Sequence, residues 1–281
     1  MSVGVVTDSI ACLPERVAAQ LRVPFASIHL IMDGADYRDG VDITTAEFYA
    51  RLGDTINHST ASPSPGEFVE AMRAALAAGA DEILVVTLSA RLSATYEAAV
   101  KAAELMPVPV AVVDSRTAAA AEGLLVRRLA ELAAEGATLG ELVARAEAIR
   151  GRYHLQAVLA GLARLAHSGR MPRPMARIGD TLHVKPLISL APDGSTHAAG
   201  FAQGLDRGVE QVYSRVLHAL PVGVPARAVV THALLPEKAA DLVTRLRADR
   251  PEVEVGEVLF TPVMGASTGP IVGIAWEDPQ Q

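Results

Sequence analysis

The sequence predicts an α/β protein of two domains: a parallel sheet flanked by helices, followed by a mixed α+β domain. Over the first 150 residues, short β-branched apolar runs alternate with helical patterns, which is typical of a parallel sheet covered on both faces. Beyond residue 152, strand-like runs dominate and only two substantial helices are predicted. We therefore predict domains at residues 1–152 and 153–281, with a ligand cleft between them.

Buried strands are predicted in the first domain where apolar, β-branched runs lie between turn residues, at residues 3–7, 23–31, 82–88 and 110–113. The helices between them have clear start signals. Thr44 with Glu47 and Ser64 with Glu67 have the spacing of capping boxes, and Pro65 occupies the first helical position of the second. Strands that alternate with helices in this way predict parallel pairing.

The second domain is predicted to be mostly strands, at residues 155–160, 182–190, 196–202, 227–231, 252–260 and 271–276. Helices are predicted near residues 205–220 and 236–247. Asp193 and Gly194 stand between two strand-like runs, which is a hairpin signal.

Composition excludes several classes of function. The net charge is −7 and no basic stripe is interleaved with aromatic residues, which argues against nucleic acid as a partner. No run approaches 18 uninterrupted apolar residues, so stable membrane insertion is not expected. The start of the chain lacks the pattern of a signal peptide, and Cys12 is the only cysteine. These features favour a cytoplasmic location.

Four polar clusters lie beside predicted strand ends or helix starts: Thr60 with Ser62, Ser93 with Ala94, Arg170, and Ser267 with Thr268. Asp8, at the end of the first strand, is a further candidate because the carboxyl ends of parallel strands face the ligand crevice. Taken singly, each cluster is typical of caps and turns. Taken together, hydroxyls, the amides of a helix start and one Arg form a cradle for a carboxylate or phosphate.

Catalytic alternatives are weaker. Gly265, Ser267 and Gly269 match the G-x-S-x-G elbow of serine hydrolases, but Pro270 and a β-rich run follow where that elbow needs a helix, and no His follows Ser267. The eight His residues show no metal-binding spacing, and no phosphate-binding loop of the G-x-x-x-x-G-K-[ST] type is present. We therefore predict a protein that is not an enzyme, with no metal and no cofactor.

Motifs along the whole chain occur in an order that resembles the DegV family of fatty-acid-binding proteins. The N-terminal motifs are Thr7-Asp8-Ser9, Leu13-Pro14, Asp39-Gly40-Val41-Asp42-Ile43, Phe48-Tyr49 and the segment from Thr60 to Phe68. The later ones are Leu92-Ser93-Ala94-Thr95-Tyr96, Asp114-Ser115, Gly169-Arg170, Val184-Lys185-Pro186-Leu187-Ile188 and Thr268-Gly269-Pro270.

The resemblance implies a two-domain lipid-binding protein that holds a long-chain fatty acid between its domains. Thr60, Ser93 and Arg170 would contact the carboxylate. It also implies a role as the binding subunit of a bacterial fatty acid kinase, presenting the carboxylate to a separate catalytic subunit that makes acyl phosphate for phospholipid synthesis. The chain departs from the family pattern at four places: Ser267 for His, Ala61 for Ser, Ala94 for Gly, and the absence of a basic run at residues 200–208. The alternative is a carrier of another small anion without a kinase partner.

Overall fold

The computed structural model describes residues 2–52, 58–170 and 184–279. The strands are β1 (Val3–Asp8), β2 (Phe25–Ala26), β3 (His29–Met32), β4 (Ala35–Arg38), β5 (His58–Ala61), β6 (Glu82–Thr87), β7 (Val110–Asp114), β8 (Tyr153–Leu159), β9 (Val184–Leu190), β10 (Thr196–Gln203), β11 (Ala226–Ala233), β12 (Val253–Leu259) and β13 (Ile271–Glu277). The helices are α1 (Glu15–Leu21), α2 (Thr45–Arg51), α3 (Pro65–Ala77), α4 (Thr95–Ala103), α5 (Ala119–Ala134), α6 (Leu139–Ile149), α7 (Ala163–His167), α8 (Leu205–Ala219), α9 (Pro236–Asp249) and α10 (Pro262–Thr268).

The first half contains the predicted parallel sheet, with strand order β2-β1-β6-β7. Its side chains alternate between two helical layers: Val6 and Val85 pack with α3 and α4, whereas Val5 and Val86 pack with α5 and α6. Both predicted capping boxes are present at the starts of α2 and α3. The α/β class and the parallel pairing are therefore confirmed.

A small antiparallel sheet of order β4-β3-β5 was not predicted. The prediction of one strand over residues 23–31 was wrong, because the run divides into β2, which joins the parallel sheet, and β3, which joins the antiparallel one. The division falls at Ile28. Its N–H donates to the Ser9 hydroxyl at 3.1 Å and its carbonyl accepts from Asp39 N, so neither group bonds a neighbouring strand.

The second half forms the predicted mixed α+β arrangement: its sheet has the strand order β10-β9-β8-β13-β11-β12, and α8 and α9 pack on one face. The hairpin at Asp193 and Gly194 is confirmed, since β9 and β10 pair antiparallel and Gly194 has a φ of +83°. Residues 182 and 183 of the predicted strand lie outside the described residues. Helix α10 was missed because its seven residues include Pro, Gly, Ser and Thr, which are poor helix formers.

Helix α5 lies between the parallel and mixed sheets, and its buried face belongs to one apolar core with side chains from both. This core includes Val5 and Val86 on one side and Leu155 and Ile271 on the other. A division into domains at residues 152 and 153 stays a proposal, although β8, the first strand of the mixed sheet, begins at Tyr153.

The packing of α5 requires a glycine at position 123. A Cβ atom there would lie 2.2 Å from the carbonyl oxygen of Ala11, which belongs to the 3₁₀ turn after β1. That distance is well inside van der Waals contact, and the atom it meets is backbone. Gly123 therefore sets how closely α5 approaches the turn.

A network of four charges also links the two halves. Glu131 on α5 accepts from both terminal nitrogens of Arg227 on β11, each at 2.9 Å, and from Arg127 Nε at 3.0 Å. Glu254 on β12 accepts from Arg127 Nη1 at 2.6 Å. The bidentate pair and the shared partners make this arrangement more stabilising than an isolated surface ion pair.

We expect Glu131→Gln to lower the free energy of unfolding by about 1–2 kcal/mol, because it removes one of the two carboxylates shared by the half-buried Arg127 and Arg227 and leaves only Glu254. Urea denaturation at low and high salt measures the effect, which should shrink as salt rises. Glu135→Gln is the matched control: Glu135 lies one turn along the chain and forms no ion pair within the described residues. Equal losses in the two variants would contradict a role for the network.

Candidate functional site

A cavity of about 220 Å³ lies where the three sheets approach one another. Its wall is mostly apolar and includes the 3₁₀ turn after β1, strand β5, the loop between β6 and α4, strands β8 and β9, and helix α10. Thr60, Ser62, Ser93, Ala94, Arg170, Ser267 and Thr268 all line it. Seven of the eight predicted site residues, which are spread over 209 positions (60 to 268), therefore share one cavity.

Four of these residues are joined to one another or to one loop by hydrogen bonds. Arg170 donates from Nη2 to Thr60 Oγ1 at 3.2 Å and from Nε to the carbonyl of Leu92 at 3.0 Å. The hydroxyls of Ser62 and Ser93 lie 2.9 Å apart. Arg170 is thus held against the loop that carries Ser93, and a cation and three hydroxyls are concentrated in one part of the cavity.

Arg170 has the surroundings of an anion-binding group. It is half-buried, and burial lowers the pKa of its guanidinium from the ordinary value. Within residues 2–52, 58–170 and 184–279, no carboxylate forms an ion pair with it, and it is the only Arg, Lys or His that lines the cavity. A desolvated cation without a protein counter-ion favours a negatively charged ligand.

The start of α4 adds backbone donors to this cluster. Ala94 is the N-cap residue and makes no side-chain capping bond, so no side chain at this position satisfies the first-turn N–H groups. These groups, with the positive end of the helix dipole, favour an anion beside Ser93.

Ser267 and Thr268 line the same cavity from the last turn of α10. The Thr268 hydroxyl donates to the Met264 carbonyl at 2.9 Å, within its own helix. Ser267 is followed by Gly269, Pro270 and then β13, so the local order is helix, turn, strand. A hydrolase elbow needs the reverse order, strand, turn, helix, and no His lines the cavity in the described part of the chain.

Asp8 does not line the cavity, although it was predicted to bind the ligand. Its carboxylate is buried and accepts from Ile10 N at 3.0 Å and from Leu88 N at 2.8 Å. Ile10 and Leu88 both line the cavity. In this structure Asp8 positions two parts of the wall, and burial raises the pKa of its carboxyl to about 7.

Comparison with known proteins identifies the family. A family described as "Uncharacterised protein, DegV family" matches residues 2–278. The chain belongs to the DegV family. A DegV domain-containing protein of Streptomyces coelicolor is 32% identical over 271 residues, which covers 95% of each chain. The resemblance found in the sequence motifs is confirmed.

Solved structures of DegV proteins share the whole fold. One from Thermus thermophilus, described as fatty acid binding, is 30% identical with a TM-score of 0.89 and covers 99% of this chain and 100% of its own. DegV of Bacillus subtilis, described as a fatty acid binding protein, is 25% identical with a TM-score of 0.90, covering 99% of each chain. The DegV architecture of a parallel sheet and a mixed sheet is therefore shown for this chain.

The described residues show neither a membrane-spanning helix nor a metal-binding cluster. In the described ranges, no helix is long and apolar enough to cross a membrane. Over the same residues, no group of three or more His, Cys, Asp or Glu side chains is arranged to hold a metal ion.

Sequence reasoning missed several residues of the site. The Leu92 carbonyl and the Thr95 hydroxyl, which lies 2.8 Å from Ser93 Oγ, both belong to the polar cluster. The residues at 92–96 could not indicate the role of the Leu92 carbonyl, because every residue has a backbone carbonyl. Leu155 and Ala157 were predicted only as strand residues. Their period-2 spacing is the signal that places both side chains on the face that lines the cavity.

The burial of Asp39 predicts that the free energy of unfolding depends on pH. Its carboxyl is fully buried, accepts from the Ser9 hydroxyl at 3.1 Å, and has a pKa raised by burial to about 7. A raised folded-state pKa means that the folded protein binds more protons than the unfolded chain between about pH 4 and pH 7. Its contribution to stability is therefore present at low pH and is lost as pH rises through about 7.

We expect Asp39→Asn to flatten the decline in the free energy of unfolding between about pH 4 and pH 7, since the amide keeps an acceptor for Ser9 and cannot ionise. Urea denaturation midpoints, recorded at intervals between about pH 4 and pH 7, measure this change of stability with pH. Asp33→Asn, in an exposed turn, is the matched control and should leave the slope unchanged. The same slope in the Asp39 variant and the wild type would contradict the assignment.

Proposed function

We propose that this chain binds one long-chain fatty acid, with the carboxylate at Arg170, Thr60 and Ser93 and the acyl chain in the apolar part of the cavity. The observation that carries the proposal is the half-buried guanidinium of Arg170, which has no carboxylate partner in the described residues and faces a mostly apolar cavity. A small polar anion would satisfy Arg170 but would leave the apolar wall without a partner.

The two parts of a fatty acid match the two parts of this cavity. The carboxylate needs several donors once it leaves water, and the cluster offers a forked cation and hydroxyls. The chain would be held by burial, which contributes about 0.8 kcal/mol for each methylene. The fatty-acid binding described for the Thermus thermophilus protein supports the same ligand here.

We propose further that the protein is a cytoplasmic, non-catalytic subunit that presents the bound carboxylate to a separate fatty acid kinase, for acyl phosphate formation in phospholipid metabolism. The family resemblance, and the position of Ser93 and Arg170 outside helices and strands, support this role. The alternative role, a carrier without a kinase partner, is favoured by one observation: residues 200–208 hold Arg207 as their only basic residue.

Mass spectrometry of an organic extract tests the ligand. The protein is purified without detergent and compared with a mock purification from cells that lack it. Free fatty acid at about one molecule per chain supports the proposal. A well-folded sample without lipid, followed by binding of a polar acid or phosphate in a thermal-shift screen, would replace it with the small-anion alternative.

The kinase role needs a second experiment. The loaded protein is mixed with ATP and a bacterial fatty acid kinase catalytic subunit, and acyl phosphate is trapped with hydroxylamine. Product that depends on both proteins supports presentation of the carboxylate. Binding of fatty acid without product would leave the carrier role and remove the kinase role.

A further inference from the structure

A second cavity, of about 320 Å³, adjoins the one described above. It lies beside the end of α6, the start of β8 and the β9–β10 hairpin, and polar side chains such as Arg116, Glu147 and Arg150 line it. Leu155 and Leu190 line both cavities. The two spaces are therefore separated at this point by two leucine side chains.

The register of β8 and β9 explains why these two leucines stand together. The strands pair antiparallel with Ala157 opposite Ile188 and Gln156 opposite Ser189, so the next position in the same register places Leu155 opposite Leu190. Side chains two residues apart point to the same face of a sheet. Ala157 and Ile188 line only the first cavity, Leu155 and Leu190 line both, and Tyr153 and Pro192 line only the second.

The leucine pair lies toward the start of β8, four residues from the strand end that leads through α7 to Arg170. The end of β8 is close in the chain to the polar residues. Leu159 at that end pairs with Ile271, which follows Thr268 by a few residues. The chain then continues from β8 through α7 to Arg170. Leu155 lies four residues back along β8, which is about 13 Å at the usual rise of a strand. A ligand anchored at Arg170 that follows β8 therefore reaches Leu155 and Leu190 with its tail.

The chemistry of the wall changes at the same place. On the near side, Ala157 and Ile188 present apolar surface. On the far side, Arg150 donates to the Asp114 carbonyl at 3.1 Å, and Glu147 and Arg116 stand nearby in the lining. The methyl end of an acyl chain is stabilised by burial against the apolar wall of the first cavity. Against the charged lining of the second cavity it would remove water from charged groups, which is unfavourable.

We propose that Leu155 and Leu190 form the stop that limits acyl-chain length in this protein. The inference rests on the proposed function and deepens it by naming the residues that select the ligand class. Chains that end at the leucine pair are fully buried. Longer chains must either displace these side chains or fold back within the cavity.

The test compares affinities across chain length. Delipidated wild type, Leu190→Ala and Leu155→Val are titrated with saturated fatty acids of increasing length, from below to above the wild-type optimum. Leu190 is only partly buried, so its truncation should leave the fold intact. The valine variant removes one methylene from a buried position and provides an independent measurement.

The expected result is a shift of the optimum toward longer chains. Each additional methylene that becomes buried improves Kd about fourfold. Space for two methylenes should therefore improve the affinity of Leu190→Ala for a chain two carbons beyond the wild-type optimum by about 16-fold relative to wild type. Leu165→Ala is the matched control, since Leu165 lines the first cavity and not the second, and its optimum should stay at the wild-type length.

The outcomes separate this inference from the proposed function. If wild type binds fatty acids and both leucine variants keep the wild-type optimum, the stop is elsewhere and the inference is overturned. An equal shift in Leu165→Ala overturns it as well, because general loosening of the cavity would then explain the result. If wild type binds no fatty acid of any length, the proposed function itself fails.

Discussion

Arg170→Ala should weaken fatty-acid binding by roughly 30- to 150-fold, the largest effect on affinity that we expect from one substitution. Removal of one partner from a desolvated, hydrogen-bonded charge pair costs about 2–5 kcal/mol, and the half-buried position of Arg170 places its effect near 2–3 kcal/mol. No other Arg, Lys or His among the described lining residues is present to replace its charge. Titration of the delipidated protein with a fatty acid measures the change.

Two further variants show whether the charge and geometry of Arg170 account for the loss of affinity. Arg170→Lys keeps the charge but loses the forked donor geometry that reaches Leu92 and Thr60, so its loss should be intermediate. Arg91→Ala removes an exposed Arg from the same loop as Ser93 and should leave affinity unchanged. Unaltered binding by Arg170→Ala, with a normal melting temperature, would show that the carboxylate lies elsewhere.

Gly123→Ala should lower the free energy of unfolding by about 2–3 kcal/mol, within the range found when a packed interior receives an extra methyl group. The added Cβ would meet the Ala11 carbonyl at 2.2 Å, so α5 and the 3₁₀ turn must move apart. Ile10 in that turn lines the cavity, so fatty-acid affinity should fall in the same variant.

The sign of the effect makes this prediction decisive. Alanine stabilises an open helical site relative to glycine by about 0.5–1 kcal/mol. Gly140 in α6 is such a site, because no atom lies within 4 Å of a Cβ built there. Gly140→Ala should therefore raise the urea midpoint and Gly123→Ala should lower it. A raised midpoint in both variants would mean that α5 and the turn are not in close contact in solution.

Local signals in the sequence predicted much of the fold. The capping boxes at Thr44 and Ser64 and the Asp193-Gly194 hairpin depend on residues close in the chain, and all three are present. The order of strands does not have a local signal: β1 pairs with β6 across more than seventy residues, and β2 separates from β3 because Ser9 and Asp39 take the backbone bonds of Ile28. Contacts of that kind are fixed by packing.

In the candidate site, too, some features were predictable from the sequence and others depend on packing. Thr60, Ser93 and Arg170 were predicted as a group because hydroxyls, helix-start amides and one Arg together can hold an anion, and the structure brings them into one cavity. Asp8 was assigned to the ligand from its position at a strand end, yet its carboxylate is occupied by Ile10 and Leu88. Whether a strand-end carboxylate faces a ligand or backbone N–H groups depends on the neighbouring loop, which sequence spacing does not describe.

The core around α5 has a consequence for the rate at which ligand is exchanged. A cleft between two independent bodies opens by rotation about a hinge. Here α5 packs against both sheets and Arg127 and Glu131 tie it to Arg227 and Glu254, so rotation of one sheet away from the other would expose the centre of the molecule. If the chain binds a fatty acid as proposed, we expect its release to depend on local movement of the lining, such as the loop between β6 and α4, and not on separation of the sheets. The residence time should then respond to substitutions in that loop and be insensitive to small changes in global stability.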